Sequence, residues 1–227
     1  MTFTRYAIYY APPADAEWCR FAASWLGWDL ETGRSLPQPE DTGLDVAAIT
    51  KVPRKYGLHA TLKPPMRLAE GQSQAALDAA CAALAAAQRP VTLEGFHLAR
   101  LGRFLALRPS GDETALNALA AACVTELDPF RAPAAQAELE RRRDAGLSPE
   151  QDRNLTLWGY PYVLEQFRFH ITLTGKLPKP DLPAVEAALN ERLIPLLPAP
   201  LEIRDIVLAG EAPDRKFHLI HRYALSG

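Results

Sequence analysis

The sequence predicts an α+β protein of two pseudo-symmetric lobes, each an antiparallel sheet backed by helices. Segments rich in aromatic and β-branched residues alternate with segments whose apolar residues recur at helical spacing. The order of these elements in the second half of the 227 residues partly repeats that of the first half. The pattern H-x-T-L also occurs once in each half. We therefore expect residues 1–227 to form a single bilobal domain whose central cleft is lined by the two H-x-T-L strands.

Four strands and three helices are predicted in the first half. The segment RYAIYY is aromatic and β-branched and stops before two prolines, which is typical of a strand. The alanine-rich segment after residue 72 carries its larger apolar residues on one side, which indicates a helix. The predicted strands are Arg5–Tyr10, Tyr56–Leu62, Val91–Leu98 and Phe104–Arg108, and the predicted helices are Ala14–Leu26, Gln72–Ala87 and Asp112–Leu127, the last capped by Ser110 or Asp112.

A change of pattern after Asp128-Pro129 predicts a helical insertion at about 129–160. A charged helix over 134–144 is followed by Ser148 and Pro149, a capping residue and a first-turn proline, which begin a second helix running to about Trp158. Because the insertion precedes the second motif, we expect it to pack beside the cleft, where it could act as a lid. The remaining predictions are the strand Phe167–Thr174, the helix Asp181–Leu193 and the strands Leu201–Ala209 and Lys216–Tyr223.

Composition and charge limit the class of protein. Hydrophobic residues make up 48% and charged residues 23%, which is ordinary for a globular protein, and the formal net charge is −2. Proteins that track long nucleic acids usually carry a basic face, so we expect a small ligand or a short RNA end. Three cysteines without close spacing predict neither a disulfide framework nor a zinc site. With no leader pattern and no apolar run of membrane length, the sequence predicts a cytoplasmic protein without a membrane partner.

The two H-x-T-L copies place the same side chains on one face of each predicted strand. They read LHATLK at 58–63 and FHITLT at 169–174, and 170 − 59 places the histidines 111 residues apart. Because side chains alternate between the faces of a strand, the polar positions of each copy share one side and the apolar positions share the other. The polar set is His59, Thr61 and Lys63 in the first copy, and Arg168, His170, Thr172 and Thr174 in the second.

This combination of residues suits the opening of a cyclic phosphodiester. The reaction needs a base for the attacking water and an acid for the leaving oxygen, and two histidines with ordinary pKa values near 6.5 can fill both roles. Thr61 and Thr172 can donate hydrogen bonds to the non-bridging oxygens, and Lys63 and Arg168 can neutralise the charge that develops there. The histidines occur singly, without nearby ligands, so the sequence predicts no metal and no cofactor.

The sequence resembles the two-histidine phosphoesterase superfamily, whose pattern of two H-x-[ST]-hydrophobic motifs maps onto both copies without gaps. The segments YGLHATLKPP at 56–65, DPFRAP at 128–133 and WGYPYVLEQFRFHITLTG at 158–175 are similar to a branch associated with phosphonate-utilisation operons. The resemblance implies the two-lobed fold and metal-independent hydrolysis of a nucleoside 2′,3′-cyclic phosphate, an RNA end or a ribose cyclic phosphate. The superfamily includes the bacterial RNA 2′,3′-cyclic phosphodiesterase/RNA ligase group, to which the chain is also similar.

Two further residues are candidates for substrate binding, and two other functions stay open. Tyr56, beside the first motif, could stack on a ligand or hydrogen-bond it, and Arg131 in DPFRAP could reach a phosphate from the insertion. The same site could instead join RNA ends, or the protein could only bind a phosphorylated metabolite or nucleotide. Paired histidines favour catalysis, because simple phosphate binding needs donors but no acid and base. The sequence makes no prediction of the oligomeric state.

Overall fold

One seven-stranded antiparallel sheet runs through the molecule and carries both motifs. In the computed structural model, which describes residues 2–227, its strand order is β11-β10-β1-β4-β8-β7-β6, and β2-β3 and β5-β9 form separate pairs. The strands are β1 (Arg5–Tyr10), β2 (Trp28–Asp29), β3 (Arg34–Ser35), β4 (Ala60–Met66), β5 (Val91–Leu93), β6 (Gly95–Leu101), β7 (Phe104–Ser110), β8 (Ile171–Thr172), β9 (Leu201–Ile203), β10 (Asp205–Glu211) and β11 (Phe217–Ala224).

Helices cover one face of this sheet and bury the main core. Trp25 is fully buried there and donates its indole N–H to the carbonyl oxygen of Leu173 at 3.0 Å, which ties the first helix to the second motif. None of the helices in residues 2–227 is long and apolar enough to span a bilayer. The helices are α1 (Glu17–Leu26), α2 (Val46–Thr50), α3 (Gln74–Ala86), α4 (Thr114–Glu126), α5 (Gln136–Arg143), α6 (Pro149–Trp158) and α7 (Leu182–Arg192).

A pseudo-two-fold relation joins the two halves at the centre of the sheet. The order β4-α3-β5-β6 is repeated as β8-α7-β9-β10. Strands β4 and β8 pair antiparallel through Ala60 and Ile171, each of which directly follows its motif histidine. The equivalent strands β5 and β9 also pair with each other. Contacts between equivalent elements are what a two-fold axis produces. The predicted α+β fold, with antiparallel sheets backed by helices, is therefore confirmed, and the half-sheets of the two lobes are joined edge to edge.

Local sequence signals place several elements correctly. β1 has the predicted bounds, and α6 begins after Ser148 and ends at Trp158. The Ser148 side chain accepts a hydrogen bond from the Gln151 N–H while the Gln151 side chain accepts one from the Ser148 N–H, which completes a capping box. Gly159 follows in the left-handed conformation that commonly ends a helix.

Both motif strands differ from their predicted bounds. β4 begins at Ala60 and continues through the two prolines to Met66, whereas residues 53–56 form a 3₁₀ turn. β8 contains only Ile171 and Thr172, because the N–H groups of Leu173 and Thr174 both point to the carbonyl oxygen of Leu105 and interrupt the regular ladder. Each histidine therefore lies one residue before its strand, beyond the end of the hydrogen-bonded ladder, at the edge of the cavity described below.

Candidate active site

The two motifs open onto one cavity of about 650 Å³, a size typical of small-molecule sites. Its floor is the face of the sheet opposite the main core. His59 and Thr61 line it from the first half, and His170 and Thr172 line it from the second. The neighbouring residues Ala60, Phe169, Ile171 and Leu173 are buried in the core on the other side. The structure thus brings together the four residues that the sequence predicts as catalytic.

The register of β4 and β8 sets the four side chains in a crossed arrangement. Ala60 and Ile171 lie opposite each other. Because the strands are antiparallel, Thr61 follows Ala60 on the side of His170, and Thr172 follows Ile171 on the side of His59. The two histidines thus lie diagonally across this pair, close enough for His170 to affect the pKa of His59. A phosphate between them would have an imidazole and a hydroxyl on each side.

Each imidazole is held by the same backbone contact. The Nδ1 atom of His59 lies 3.0 Å from the carbonyl oxygen of Gly57, and that of His170 lies 2.8 Å from the carbonyl oxygen of Arg168. In both cases the carbonyl is two residues before the histidine. A carbonyl oxygen only accepts, so Nδ1 carries the hydrogen, and in the neutral ring Nε2 is left as an acceptor.

Burial keeps both imidazoles neutral near pH 7. The pKa of His59 is lowered to about 4, mainly by burial and to a smaller extent by the nearby His170, against an opposing effect of the Gly57 carbonyl. The pKa of His170 is also lowered by burial, and the positive charge of Arg108 adds to this effect. Neutral rings with free Nε2 atoms are suited to act as bases.

The His59 side of the cavity is aromatic. The Tyr9 ring lies against the imidazole with centroids 4.1 Å apart, and the Tyr56 ring follows at 5.6 Å. Phe217 packs behind both tyrosines. Tyr9 is fully buried, and within residues 2–227 its hydroxyl has no hydrogen-bond partner. The first histidine is therefore enclosed by rings, which explains the strong effect of burial on its pKa.

The His170 side of the cavity is polar. Alternate residues along the second motif all face it, in the order cation, imidazole, two hydroxyls and cation: Arg168, His170, Thr172, Thr174 and Lys176. Phe104 is the aromatic neighbour of His170, with ring centroids 6.0 Å apart. No carboxylate within residues 2–227 lies within 4 Å of the charged atoms of Arg168 or Lys176. The predicted substrate-binding residues Arg168 and Tyr56 both line the cavity.

Lys63 does not share the face of His59 and Thr61, so this part of the prediction is wrong. Tyr9 pairs with Thr61 but Ile8 pairs with Lys63, which leaves an extra residue, Leu62, in β4. Such a bulge reverses the alternation of side chains. Lys63 is consequently buried on the core side, where its Nζ donates to the carbonyl oxygen of Val124 at 2.8 Å and lies 3.5 Å from Asp128. Burial lowers its pKa to about 8.

Arg131 does not reach the cavity, so the prediction that it contacts substrate is also wrong. Its Nε donates to Asp128 at 2.7 Å, and its Nη2 donates to the carbonyl oxygen of Leu157 at 2.9 Å. Asp128 is three residues earlier in the chain, and this local partner takes the guanidinium. The residue joins the start of the insertion to the end of α6.

Several residues of the cavity were not predicted from the sequence. Tyr9 and Arg5 reach it from β1, where the alternation in RYAIYY could have placed them on one face. Arg142 and Tyr160 reach it from the insertion. Arg142 is the middle one of three consecutive arginines, and nothing in the local sequence separates it from its two neighbours. Their position depends on how the insertion packs, which is a long-range property of the fold.

Paired H-x-T-L segments lie at the centre of one antiparallel sheet with both imidazoles on one cavity, which is the arrangement that the resemblance to the two-histidine phosphoesterases implies. In sequence, the chain belongs to the family described as "Protein of unknown function (DUF1045)", which it matches over residues 61–218. It is also similar, at 16% identity and a TM-score of 0.46 over the whole of both chains, to the crystal structure of E. coli LigT complexed with NADP+.

Two curated relatives share the name "Ribose 1,5-bisphosphate phosphokinase PhnN". The protein from Janthinobacterium sp. (strain Marseille) is 36% identical over 234 residues, which cover 100% of this chain and 52% of the relative. The protein from Laribacter hongkongensis (strain HLHK9) is 37% identical over 182 residues, which cover 79% of this chain and 42% of the relative. The chain thus spans about half the length of the curated relatives it matches.

Proposed function

We propose that this protein is a phosphoesterase that hydrolyses a strained cyclic phosphodiester to a phosphomonoester, with His59 and His170 as general base and general acid and without a metal ion. One observation carries the proposal. Two imidazoles, at equivalent positions of the two halves, are each held through Nδ1 by the carbonyl two residues earlier, and both line one cavity. Each Nε2 is free to exchange a proton there.

The chemistry follows from this pair of rings. One Nε2 accepts a proton from a water molecule, whose oxygen attacks phosphorus and forms the new P–O bond. The other ring, protonated at Nε2, donates that proton to the ester oxygen as its bond to phosphorus breaks. Both free imidazoles have lowered pKa values, but a bound anionic substrate favours the protonated form of the neighbouring ring. The products are a phosphomonoester and an alcohol on the same molecule.

Hydroxyl and cationic groups around the rings complete the site in this proposal. Thr61 and Thr172, which line the cavity with the histidines, donate hydrogen bonds to the non-bridging phosphoryl oxygens. Arg168, on the rim beside His170, offsets the negative charge that develops on them. Tyr56 offers its ring to the organic part of the substrate. Because one imidazole gains a proton while the other loses one, the step is balanced by these side chains and water alone.

The organic part of the substrate is proposed to be a ribose derivative. The curated relatives carry ribose 1,5-bisphosphate in their names, and the resemblance to the phosphonate-associated branch points in the same direction. A ribose cyclic phosphate formed in phosphonate metabolism is accordingly the leading candidate. Nucleoside 2′,3′-cyclic phosphates and RNA ends with a cyclic phosphate present the same five-membered ring and are the comparison substrates.

Turnover of a small panel tests this function. The panel contains the four nucleoside 2′,3′-cyclic monophosphates, a ribose 1,2-cyclic phosphate and a short RNA with a cyclic phosphate end. We expect wild type to open at least one of them, and His59→Ala and His170→Ala to lose the activity. His97→Ala is the matched control, because His97 is exposed on β6 and its Nδ1 contacts Ser110. EDTA should leave the rate unchanged.

The same panel separates the competing functions. Ligation would convert the RNA with a cyclic end and a second RNA with a 5′-hydroxyl into a longer product instead of a monoester. A binding module would hold panel members without turning them over at any pH. Either result from correctly folded wild type would contradict the proposed hydrolysis.

A further inference from the structure

The cavity carries more positive charge than one cyclic phosphate needs. Its lining includes three arginines and one lysine (Arg5, Arg142, Arg168 and Lys176), and within residues 2–227 no carboxylate is part of that lining. Arg5 is neutralised by a two-pronged contact with Glu211. Arg142 also has a carboxylate partner, Glu138, whereas Arg168 and Lys176 have none within residues 2–227. These last two alone exceed the single negative charge of a cyclic phosphodiester, and the neutral imidazoles supply no negative charge to balance them.

One of these cations, Arg142, lies at a part of the cavity wall that the segment 159–168 also lines. In this segment Tyr160 and Tyr162 pack edge to face at 5.7 Å. Arg142, from α5, lies with its guanidinium carbon 4.9 Å from the centre of the Tyr160 ring. Stacking of this kind holds a guanidinium flat and leaves its N–H edge available to a planar or tetrahedral oxyanion.

The hydrogen-bonding capacity of Arg142 is largely unused. Its Nη2 donates to Glu138 on the same helix at 3.1 Å, in a partly buried pair. Its Nε is buried and, within residues 2–227, has no acceptor. A buried donor without a partner is costly, so a ligand acceptor that draws the Arg142 guanidinium toward the cavity would relieve this cost.

We infer that Arg142, stacked on Tyr160, forms a second anion subsite that takes a phosphomonoester carried by the same small molecule whose cyclic phosphate lies between His59 and His170. This inference rests on the proposed function and names its substrate class, a cyclic phosphate with a second phosphate elsewhere on the sugar. A volume of about 650 Å³ accommodates such a molecule. The insertion would then select the substrate, while the two motifs perform the reaction.

The neighbours of Arg142 provide a matched control. Arg143 donates to Asp152 and Thr156 and joins α5 to α6, so its loss would disturb the insertion. Arg141 is exposed on the same helix and does not line the cavity. Arg142→Gln and Arg141→Gln therefore remove the same charge from adjacent positions, and only the first removes it from the proposed subsite.

The test compares kcat/KM for the nucleoside 2′,3′-cyclic phosphate that is turned over fastest, with and without a phosphate at its 5′ position. For wild type and Arg141→Gln we expect a preference of about 10-fold or more for the phosphorylated form, as one charge-assisted contact provides. The preference should weaken with added salt. It should fall close to one in Arg142→Gln. Equal rates in wild type, or a preference that survives Arg142→Gln, would overturn the inference.

Two further measurements test the identity of the bound phosphate and the subsite itself. A dinucleotide with a cyclic end tests a chain phosphate as the occupant, and a stronger Arg142-dependent preference for it would overturn the assignment to a small molecule. If wild type opens none of these rings, the proposed function fails, but calorimetry with adenosine 2′-monophosphate and adenosine 2′,5′-bisphosphate still decides the subsite. We expect the bisphosphate to bind more tightly to wild type and Arg141→Gln but not to Arg142→Gln. Equal affinity in wild type would refute it.

Discussion

The two half-sites share their anchoring geometry but differ in what surrounds it. In both, the histidine Nδ1 contacts the carbonyl two residues earlier, and these carbonyls belong to equivalent positions, since 57 + 111 = 168. The first half surrounds its ring with Tyr9 and Tyr56, whereas the second places cations on its rim. The comparison indicates that the backbone holds both histidines in the same way, whereas the surrounding side chains are mainly aromatic in one half and mainly polar and cationic in the other.

The residue whose carbonyl contacts the histidine Nδ1 also differs between the two halves. Gly57 has φ +68, and a Cβ there would lie 3.0 Å from the Cβ of Leu30 and 3.3 Å from the Trp28 ring. A side chain at this position is therefore disfavoured by close contacts as well as by conformation. Its counterpart, Arg168, is exposed, lines the cavity and donates its Nη1 to the carbonyl oxygens of Glu165 and Phe167. The first half therefore has glycine where the second half has a cationic side chain.

The threonines test how evenly the two halves hold the phosphate. Thr61→Val and Thr172→Val keep the shape of the side chain but remove the donor, and we expect each to lower kcat/KM by about 10- to 100-fold, the value of a hydrogen bond to a charged oxygen. Thr→Ser at each position should retain most activity. Equal losses indicate a centred phosphate, and a much larger loss at one position indicates that the phosphate lies closer to that half. No loss from either valine variant would remove the threonines from the site.

Substitutions at Gly57 and Arg168 separate the contribution of the backbone carbonyl from that of the side-chain charge. Gly57→Ala forces a strained conformation, so we expect a loss of about 1–3 kcal/mol in the free energy of unfolding together with lower activity, as the His59 anchor shifts. Arg168→Ala keeps its carbonyl and hence the His170 anchor, so it should lower kcat/KM without a comparable loss of stability. Denaturant unfolding and kinetics on both variants check this. Full activity and stability in Gly57→Ala would contradict the role given to its backbone.

A substitution of Lys63 tests whether its side chain faces the cavity, as simple alternation along the strand predicts, or the core, as the bulge in β4 places it. Lys63→Met removes the Nζ contact with the Val124 carbonyl and leaves that oxygen buried, so we expect a loss of about 1–3 kcal/mol in the free energy of unfolding. Because the side chain lies on the core side, kcat/KM of the folded variant should stay near that of wild type. A large loss of activity without loss of stability would instead support a place in the phosphate site.

The pH dependence of kcat/KM reports on the pair of imidazoles. Hydrolysis needs one neutral and one protonated ring, so the profile should be bell-shaped, with limbs at the apparent pKa values of the coupled pair. Both pKa values are lowered by burial, that of His59 to about 4, so activity should be retained as the pH falls below 6.5 and decline as it rises above the upper limb. We expect the maximum on the acidic side of 6.5. A maximum well above neutral pH would contradict the burial of the rings.

The sequence predicts the placement of the motif histidines and threonines well because that placement depends on local rules. Alternation along a strand puts His59 with Thr61 and His170 with Thr172, and both pairs line the cavity. The same rule fails two residues later at Lys63, because the extra residue opposite Ile8 and Tyr9 arises from pairing with β1. Local sequence carries no direct record of such a bulge.

The parts of the site that depend on long-range packing were beyond reach of the sequence. Arg131 is conspicuous in DPFRAP, yet Asp128 and the Leu157 carbonyl engage it away from the cavity. Arg142 is one of three consecutive arginines in the sequence, and only its position over the Tyr160 ring in the structure distinguishes it from the other two. The two-lobed pattern was predictable from the repeated order of elements, whereas the joining of both half-sheets through Ala60 and Ile171 required the structure.

A double-mutant comparison of the two histidines tests most directly the claim that the half-sites act as one unit. His59→Ala and His170→Ala should each lower single-turnover ring opening by about 10²- to 10⁴-fold. Because both rings serve the same step, the double variant should be hardly slower than the slower single variant. Losses that multiply in the double variant, or a single variant that keeps wild-type activity, would contradict the account of a paired acid and base.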